Sequence, residues 1–236
     1  GGEMTEEVRV ERIIADLART TEEIISLDEF RRALTSRKKL VMKYGADVTA
    51  PDLHIGHAVN LWNYRRLQEE GHKVVFLIGD FTTNIGDPTG KNKTRPTIPQ
   101  EEIETNAEKF IGQARMVLID DPEVLEIRRN SEWLARLSAA DLLKLMSLVT
   151  HDRLLARGMF RKRVDEGLPI YSHELVYPLL QGYDSVVLQA NLTIIGSDQL
   201  YNEQMGRTLQ ERWQQHPQVI ITTKITPGLD GGEKQS

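Results

Sequence analysis

The chain has 236 residues, 39% of them hydrophobic and 28% charged, enough for one large domain or one domain with an insertion. Its formal net charge of −5 excludes the overall basic surplus of a small nucleic-acid binder, so any RNA contact has to be local. The absence of cysteine excludes disulfides, thiolate metal sites and a cysteine nucleophile, and no apolar run reaches the length of a membrane span. The start is polar and acidic with no visible secretory signal, so a cytoplasmic protein is the expectation.

Residues 5–36 read as two helices. Thr5 caps the first, with acids in its first turn, and the pattern repeats after Thr21. "KLVMKYG" (39–45) reads as a buried strand, "GHAVNLWNYRRLQEEG" (56–71) as a helix closed by Gly71, and "KVVFLIGD" (73–80) as a second strand. Strand, helix, strand is a βαβ unit, which implies a parallel sheet with a right-handed crossover. The long loop 81–99 follows, rich in Gly, Pro, Thr and Lys; loops of this kind tend to be functional or disordered. Residues Ile103, Ala107, Phe110, Ile111, Ala114, Val117 and Leu118 then form a helical stripe, and 124–130 is a further strand candidate. Residues 138–189 are mostly helical, broken at "RGMF" and "EGLPIYS". "LTIIG" (192–196) is a strand, the helix after it has Ser197 as its cap candidate, and 218–225 is the last strand. In such sheets ligands bind beyond the carboxyl ends of the strands, where strand order reverses. That rule selects 45–57, 79–91 and 196–199.

The first of these contains "DLHIGH", residues 52–57, at the mouth of a helix. Gly56 lets a ligand approach the helix N-terminus, whose free N–H groups favour anions, and His54 and His57 can donate to the same anion. A phosphate or adenine platform fits. A metal pair lacks a third ligand nearby, and packing alone would account for one histidine but not two. "IGDPTGKNKTR" (85–95) is not a P-loop: three residues, not four, separate Gly86 from Gly90, and Asn92 stands where Ser or Thr is needed. Lys91, Lys93 and Arg95 can still neutralise a polyphosphate, with a solvated loop as the alternative. In "SHELVYPLLQGYDSVVL", Tyr177, Gln181 and Asp184 share one helix face. A phenol, an amide and a carboxylate there suit a pocket for a small polar ligand; a solvent-facing stripe is the alternative.

Together, "GADVTAPDLHIGH", "GDFTTNIGDPTGKNKTRP", "YPLLQGYDS", "GSDQLYNEQMGR" and "GLDGGEKQS" resemble, in family order, the catalytic domain of the bacterial-type tyrosyl-tRNA synthetases, which are class I aminoacyl-tRNA synthetases. The resemblance runs from about residue 39 to the end. It implies an α/β, Rossmann-type parallel sheet with a helical insertion between its halves. By this reading 1–38 are N-terminal helices and 39–95 the first catalytic half. Residues 96–170 are the insertion and dimer interface. Residues 171–236 are the second half, ending inside a signature usually written Lys-Met-Ser-Lys-Ser, with the anticodon-binding and C-terminal domains outside this sequence.

The resemblance further implies activation of tyrosine by Mg-ATP to tyrosyl-adenylate and pyrophosphate, then transfer to tRNA, with no tightly bound cofactor and no resident metal. Thr49 and His54 would meet the γ-phosphate, and Gly56 and His57 would seat the adenosine, with Gly45, Asp47, Gly196 and Asp198 completing the ATP site. Lys91 and Arg95 would hold the departing pyrophosphate, and Lys234, which would begin the second class I signature, would join the catalytic and ATP-binding residues. Asp87, Tyr177 and Gln181 would surround the tyrosine ammonium, Thr82 and Gln199 would line the pocket, and Asp184 would accept from the phenol. Lys43 stands where many members have a tyrosine that touches the phenol, and Gln235 where methionine is usual. A basic run holds Arg153, Arg157, Arg161, Lys162 and Arg163, its three leading arginines at helical spacing. It is a solvated face or, with Arg153 and Arg157 foremost, a contact to tRNA. Two other functions stay open: a related nucleotidyltransferase, and a synthetase-like module that binds RNA without aminoacylation.

Overall fold

The computed structural model describes residues 5–50, 55–85, 97–156 and 158–224, with backbone alone at 55–57. The chain opens with helix α1 (Glu6–Ala18), whose cap Thr5 accepts from the Val8 N–H. A short strand β1 (Glu23–Ile25) and helix α2 (Leu27–Thr35) follow. The expectation of helix from Thr21 onward is corrected here. Ile24 and Ile25 are β-branched, and they pair antiparallel with Ile221 and Ile220 of strand β6 (Val219–Thr223), covering what would otherwise be an open sheet edge. The second helix starts one turn later, where Ser26 accepts from the Glu29 N–H at 3.2 Å.

Strand β2 (Val41–Ala46), helix α3 (Ile55–Gln68) and strand β3 (Lys73–Ile78) form the expected βαβ unit. Gly71 closes α3 at φ 92°, a conformation that glycine adopts without steric cost. Helix α4 (Gln100–Val117) leads to strand β4 (Leu125–Arg129), which pairs parallel with β3. The segment 96–170 therefore opens with two elements of the sheet unit before its short helices begin. These are α5 (Ser131–Leu134), α6 (Ala139–Met146), α7 (His151–Leu155) and α8 (Gly158–Glu166). Helix α9 (Ser172–Leu188), strand β5 (Leu192–Gly196) and helix α10 (Leu200–Arg212) complete the chain before β6. Ser197 does not cap α10 through its side chain; it opens a 3-10 turn, Ser197–Gln199, that leads into the helix.

The sheet order is β1-β6-β5-β2-β3-β4, parallel except for β1. From β2 the chain proceeds outward one way through β3 and β4, and the other way through β5 and β6. The β2–β5 border is therefore the switch point. Alternation along the strands decides which helices cover which face. Met42, Tyr44, Val74, Phe76 and Ile78 join α1 to α4 in the main core. Val75 and Leu77 face the other way, toward Leu188 of α9. The helices α5, α6, α7, α9 and α10 share a second cluster around Leu145, Leu179, Leu180 and Leu209. Helices α9 and α10 cross closely at glycine: a Cβ on Gly182 would lie 3.1 Å from the Gly206 nitrogen.

The basic run does not form one helical face. Helix α7 ends at Leu155, and α8 begins at Gly158 with φ 62°, so Arg153 and Arg161 lie on different helices. Arg163 is buried in an ion pair with Glu174, and Arg161 pairs with Asp165. Arg153 is exposed and donates to the Thr208 hydroxyl at 3.0 Å, while Arg157 lies outside the described residues.

Candidate active site

A cavity of about 320 Å³ opens at the carboxyl ends of β2 and β5. It exists because these strands part early. They pair only at Met42–Leu192 and Lys43–Thr193, whereas β2 and β3 pair over six residues. Beyond Lys43, the fully buried Tyr64 of α3 stands in for the missing ladder. Its hydroxyl accepts from the Ile194 N–H at 2.8 Å and donates to the Lys43 carbonyl at 2.5 Å. One phenol thus satisfies backbone groups on both strands while leaving the crevice open past them.

The described parts of all three expected loops reach this cavity. Gly45 within the end of β2 and Asp47 and Thr49 after it line the cavity, as do Gly79 and Thr82 after β3, Gly196 at the end of β5, and Asp198 and Gln199 after it. Tyr177, Gln181 and Asp184 of α9 also line it, with Tyr177 and Asp184 buried, so the solvent-facing alternative for this helix face falls. Gly56 and His57 lie in the first turn of α3. His54, Asp87, Lys91, Arg95 and Lys234 lie outside the described residues, as does the side chain of His57.

Asp47 is the hub of the upper wall. The Tyr177 hydroxyl donates to its Oδ2 and the Thr82 hydroxyl to its Oδ1, both at 2.7 Å. Gly79 permits this approach, since a Cβ there would stand 2.2 Å from Asp47 Oδ1. Deeper in, Asp184 accepts from Trp133 Nε1 at 2.8 Å and from Asn130 Nδ2 at 3.3 Å. Burial pushes its carboxyl up to about 7; the Lys43 charge and these two hydrogen bonds oppose the rise, and Glu203 adds to it.

Lys43, on the α9 side of β2, is 1% exposed and forms an ion pair with Glu203 of α10 at 2.8 Å. Its ammonium also donates to the Gln181 carbonyl at 3.4 Å. Glu203, Trp133 and Asn130 escaped the sequence reading. Two signals existed. Glu203 shares a face with Gly206 and Gln210, both buried, and an acid in a buried stripe is unusual. Asn130 directly follows the fourth strand, the end that the switch-point rule passed over.

An open, mostly parallel sheet with a polar pocket at its switch point is the doubly wound α/β arrangement. Residues 35–236 match the family of class I tRNA synthetases for tryptophan and tyrosine (W and Y), and the chain belongs to that family. Among curated proteins, it is 47% identical over 234 residues to the tyrosine--tRNA ligase of Deinococcus radiodurans, covering 99% of this chain and 57% of that protein. It is 46% identical over 220 residues to that of Francisella tularensis, covering 93% of this chain and 55% of that protein. The chain thus spans little more than half the length of these relatives. Among solved structures, a truncated mitochondrial tyrosyl-tRNA synthetase of Coccidioides posadasii aligns with a TM-score of 0.76 at 21% identity, covering 99% of this chain and 70% of that one. A tyrosyl-tRNA synthetase from Archaeoglobus fulgidus, complexed with L-tyrosine, aligns with a TM-score of 0.75 at 21% identity, covering 96% and 68%. These likenesses confirm the Rossmann-type fold.

Proposed function

We propose that the chain is the catalytic portion of a tyrosine--tRNA ligase, which activates L-tyrosine with ATP and passes it to tRNA(Tyr). The observation that carries the reading is Asp184, a carboxylate buried at the inner end of the cavity and oriented by two N–H donors. A phenol hydroxyl satisfies that acceptor, and phenylalanine leaves it unpaired. A site built to bond a hydroxyl rejects the analogue lacking it far better than an apolar slot does, and tyrosyl-tRNA synthetase is itself the standard example. Tyr177, Gln181 and, beyond the described residues, Asp87 take the ammonium. Thr82, Gln199 and Lys43 complete the wall.

The tyrosine carboxylate attacks the α-phosphate, the bond to the β-phosphate oxygen breaks, and pyrophosphate leaves. No covalent protein intermediate is needed, so positioning and charge stabilisation do the work. ATP enters as its Mg²⁺ complex, over Gly45, Gly56 and Gly196, with Asp47 and Asp198 beside it. Lys91 and Arg95 neutralise the charge that moves onto pyrophosphate, Thr49 and His54 donate hydrogen bonds to the γ-phosphate, His57 seats the adenosine, and Lys234 adds a charge to the ATP site. Arg153, with Arg157, contributes to the tRNA contact, and the helices α5 to α8 carry a homodimer interface. No helix among the described residues is long and apolar enough to cross a membrane; a cytoplasmic site of action is part of the proposal.

The test is calorimetric binding of tyrosine, phenylalanine and tryptophan to this chain. Tyrosine is expected to bind well above both competitors. Tryptophan matters because the family includes enzymes for it, and an indole N–H would approach Asp184 differently from a phenol. Absence of tyrosine binding by the folded chain overturns the assignment.

A further inference from the structure

Glu203 is almost wholly buried, yet three polar side chains converge on it. Lys43 Nζ lies 2.8 Å from Oε1 and 3.1 Å from Oε2. Gln218 Nε2 donates to Oε1 at 3.0 Å, and the Gln181 amide donates to Oε2. A buried ion pair is weak evidence for stability, since apolar replacements are often neutral or stabilising. The position of this pair in the wall of the ligand cavity therefore calls for a reason other than stability.

The chemistry of the contact supplies one. A carboxylate has no proton to give, so the end of the Gln181 amide that faces it is the NH₂ group. The carbonyl Oε1 is then the end left for a ligand, and an acceptor there suits an ammonium. Turned the other way, the same amide would offer donors and repel it. The charge on Glu203 acts in the same direction. It neutralises Lys43, whose unpaired ammonium inside the cavity would oppose a second cation.

We propose that Glu203 is the positioning residue of the amino-acid pocket: by holding the Gln181 amide and the Lys43 ammonium, it makes the pocket select a ligand that carries an ammonium group. This rests on the tyrosine reading and adds to it the residue that sets the polarity of the ammonium end.

The test compares L-tyrosine with 3-(4-hydroxyphenyl)propionate, which is tyrosine without its amine, by calorimetry on the wild-type chain and on Glu203→Gln. The variant keeps the size of the side chain, but it has no charge for Lys43, and its NH₂ end faces either the Gln181 donor at Oε2 or the Gln218 donor at Oε1. Tyrosine binding is expected to weaken about tenfold or more, the scale of one charge-assisted hydrogen bond, while the amine-free acid loses about twofold at most. Equal losses for both ligands mean that Glu203 only supports the fold, and unchanged tyrosine binding means that it positions nothing; either overturns the inference. Should Glu203→Gln fail to fold, the paired apolar variant Lys43→Met with Glu203→Leu decides. It is expected to lose the preference for tyrosine over the acid, and a retained preference overturns the inference. A wild-type chain that does not bind tyrosine overturns the ligase reading itself, which separates the two failures.

Discussion

At the scale of single residues, Asp184 sets function against stability. Desolvation lifts its carboxyl from the ordinary 3.8 to about 7, despite the nearby Lys43 charge and the Trp133 and Asn130 hydrogen bonds. The sign of the linkage follows. Between 3.8 and about 7 the folded state keeps a proton that the unfolded chain has released, so stability falls as pH rises through that window and levels off above it. Asp184→Asn removes this slope and keeps an acceptor for Trp133. The variant is expected to gain about 1–3 kcal/mol over wild type at pH 8, with the gain shrinking toward zero near pH 4. Urea unfolding across that range reads the effect, and a variant less stable than wild type at pH 8 would contradict it. The same variant should discriminate tyrosine from phenylalanine less than wild type does, because a neutral amide bonds the phenol more weakly than a carboxylate. Asp184 was legible in the sequence because helical spacing alone puts it beside Tyr177 and Gln181. Its partner Trp133 was not, because that contact spans 51 positions and no local period encodes it; the Lys43–Glu203 contact spans 160.

At the scale of elements, the site exists because two neighbouring strands are held apart at one end. Tyr64 does this, with its ring fully buried and its hydroxyl shared between the Lys43 carbonyl and the Ile194 backbone. Tyr64→Phe keeps the ring but takes from the buried Ile194 N–H its hydroxyl acceptor, whereas the Lys43 carbonyl keeps the Thr193 hydroxyl. The expected loss is about 1–3 kcal/mol by urea unfolding, accompanied by weaker tyrosine binding because Lys43 belongs to the same strand. A loss confined to stability, with binding intact, would show that the hydroxyl does not shape the pocket. Strands β2, β3, β5 and β6 and the long helices are legible because each is an apolar run or stripe; β4, Leu-Glu-Ile-Arg-Arg, shows only as a short strand candidate after a helical stripe. The three-residue β1 is not legible. Its state is decided by an edge of β6 that arrives some 200 positions later, through pairs such as Glu23 with Thr222. The break between α7 and α8 falls at "RGMF" and parts the arginines despite their helical spacing. Gly158 in a left-handed conformation is what divides that face.

At the scale of the whole molecule, the proposed dimer meets a physical requirement of the surface. Helix α6 is capped by Ser138 and Asp141 and sends Leu145 into the second core. On its outer side Leu143 is 64% exposed and Met146, one turn on, is 38% exposed. Scattered apolar side chains on a surface need no explanation, but two on one short helix, within the segment that the family resemblance assigns to the interface, make a specific anchor. The net charge of −5 is modest and opposes self-association only weakly. Wild type is therefore expected to sediment as a dimer at micromolar concentration, and its melting temperature should rise with concentration, because association stabilises the folded state by mass action. Leu143→Asp should sediment as a monomer with a concentration-independent melting temperature. The substitution replaces an exposed side chain, so the second core around Leu145 stays packed and the folded monomer persists. A wild-type chain that is monomeric at that concentration would remove the anchor argument, and with it the assignment of α6 to the interface.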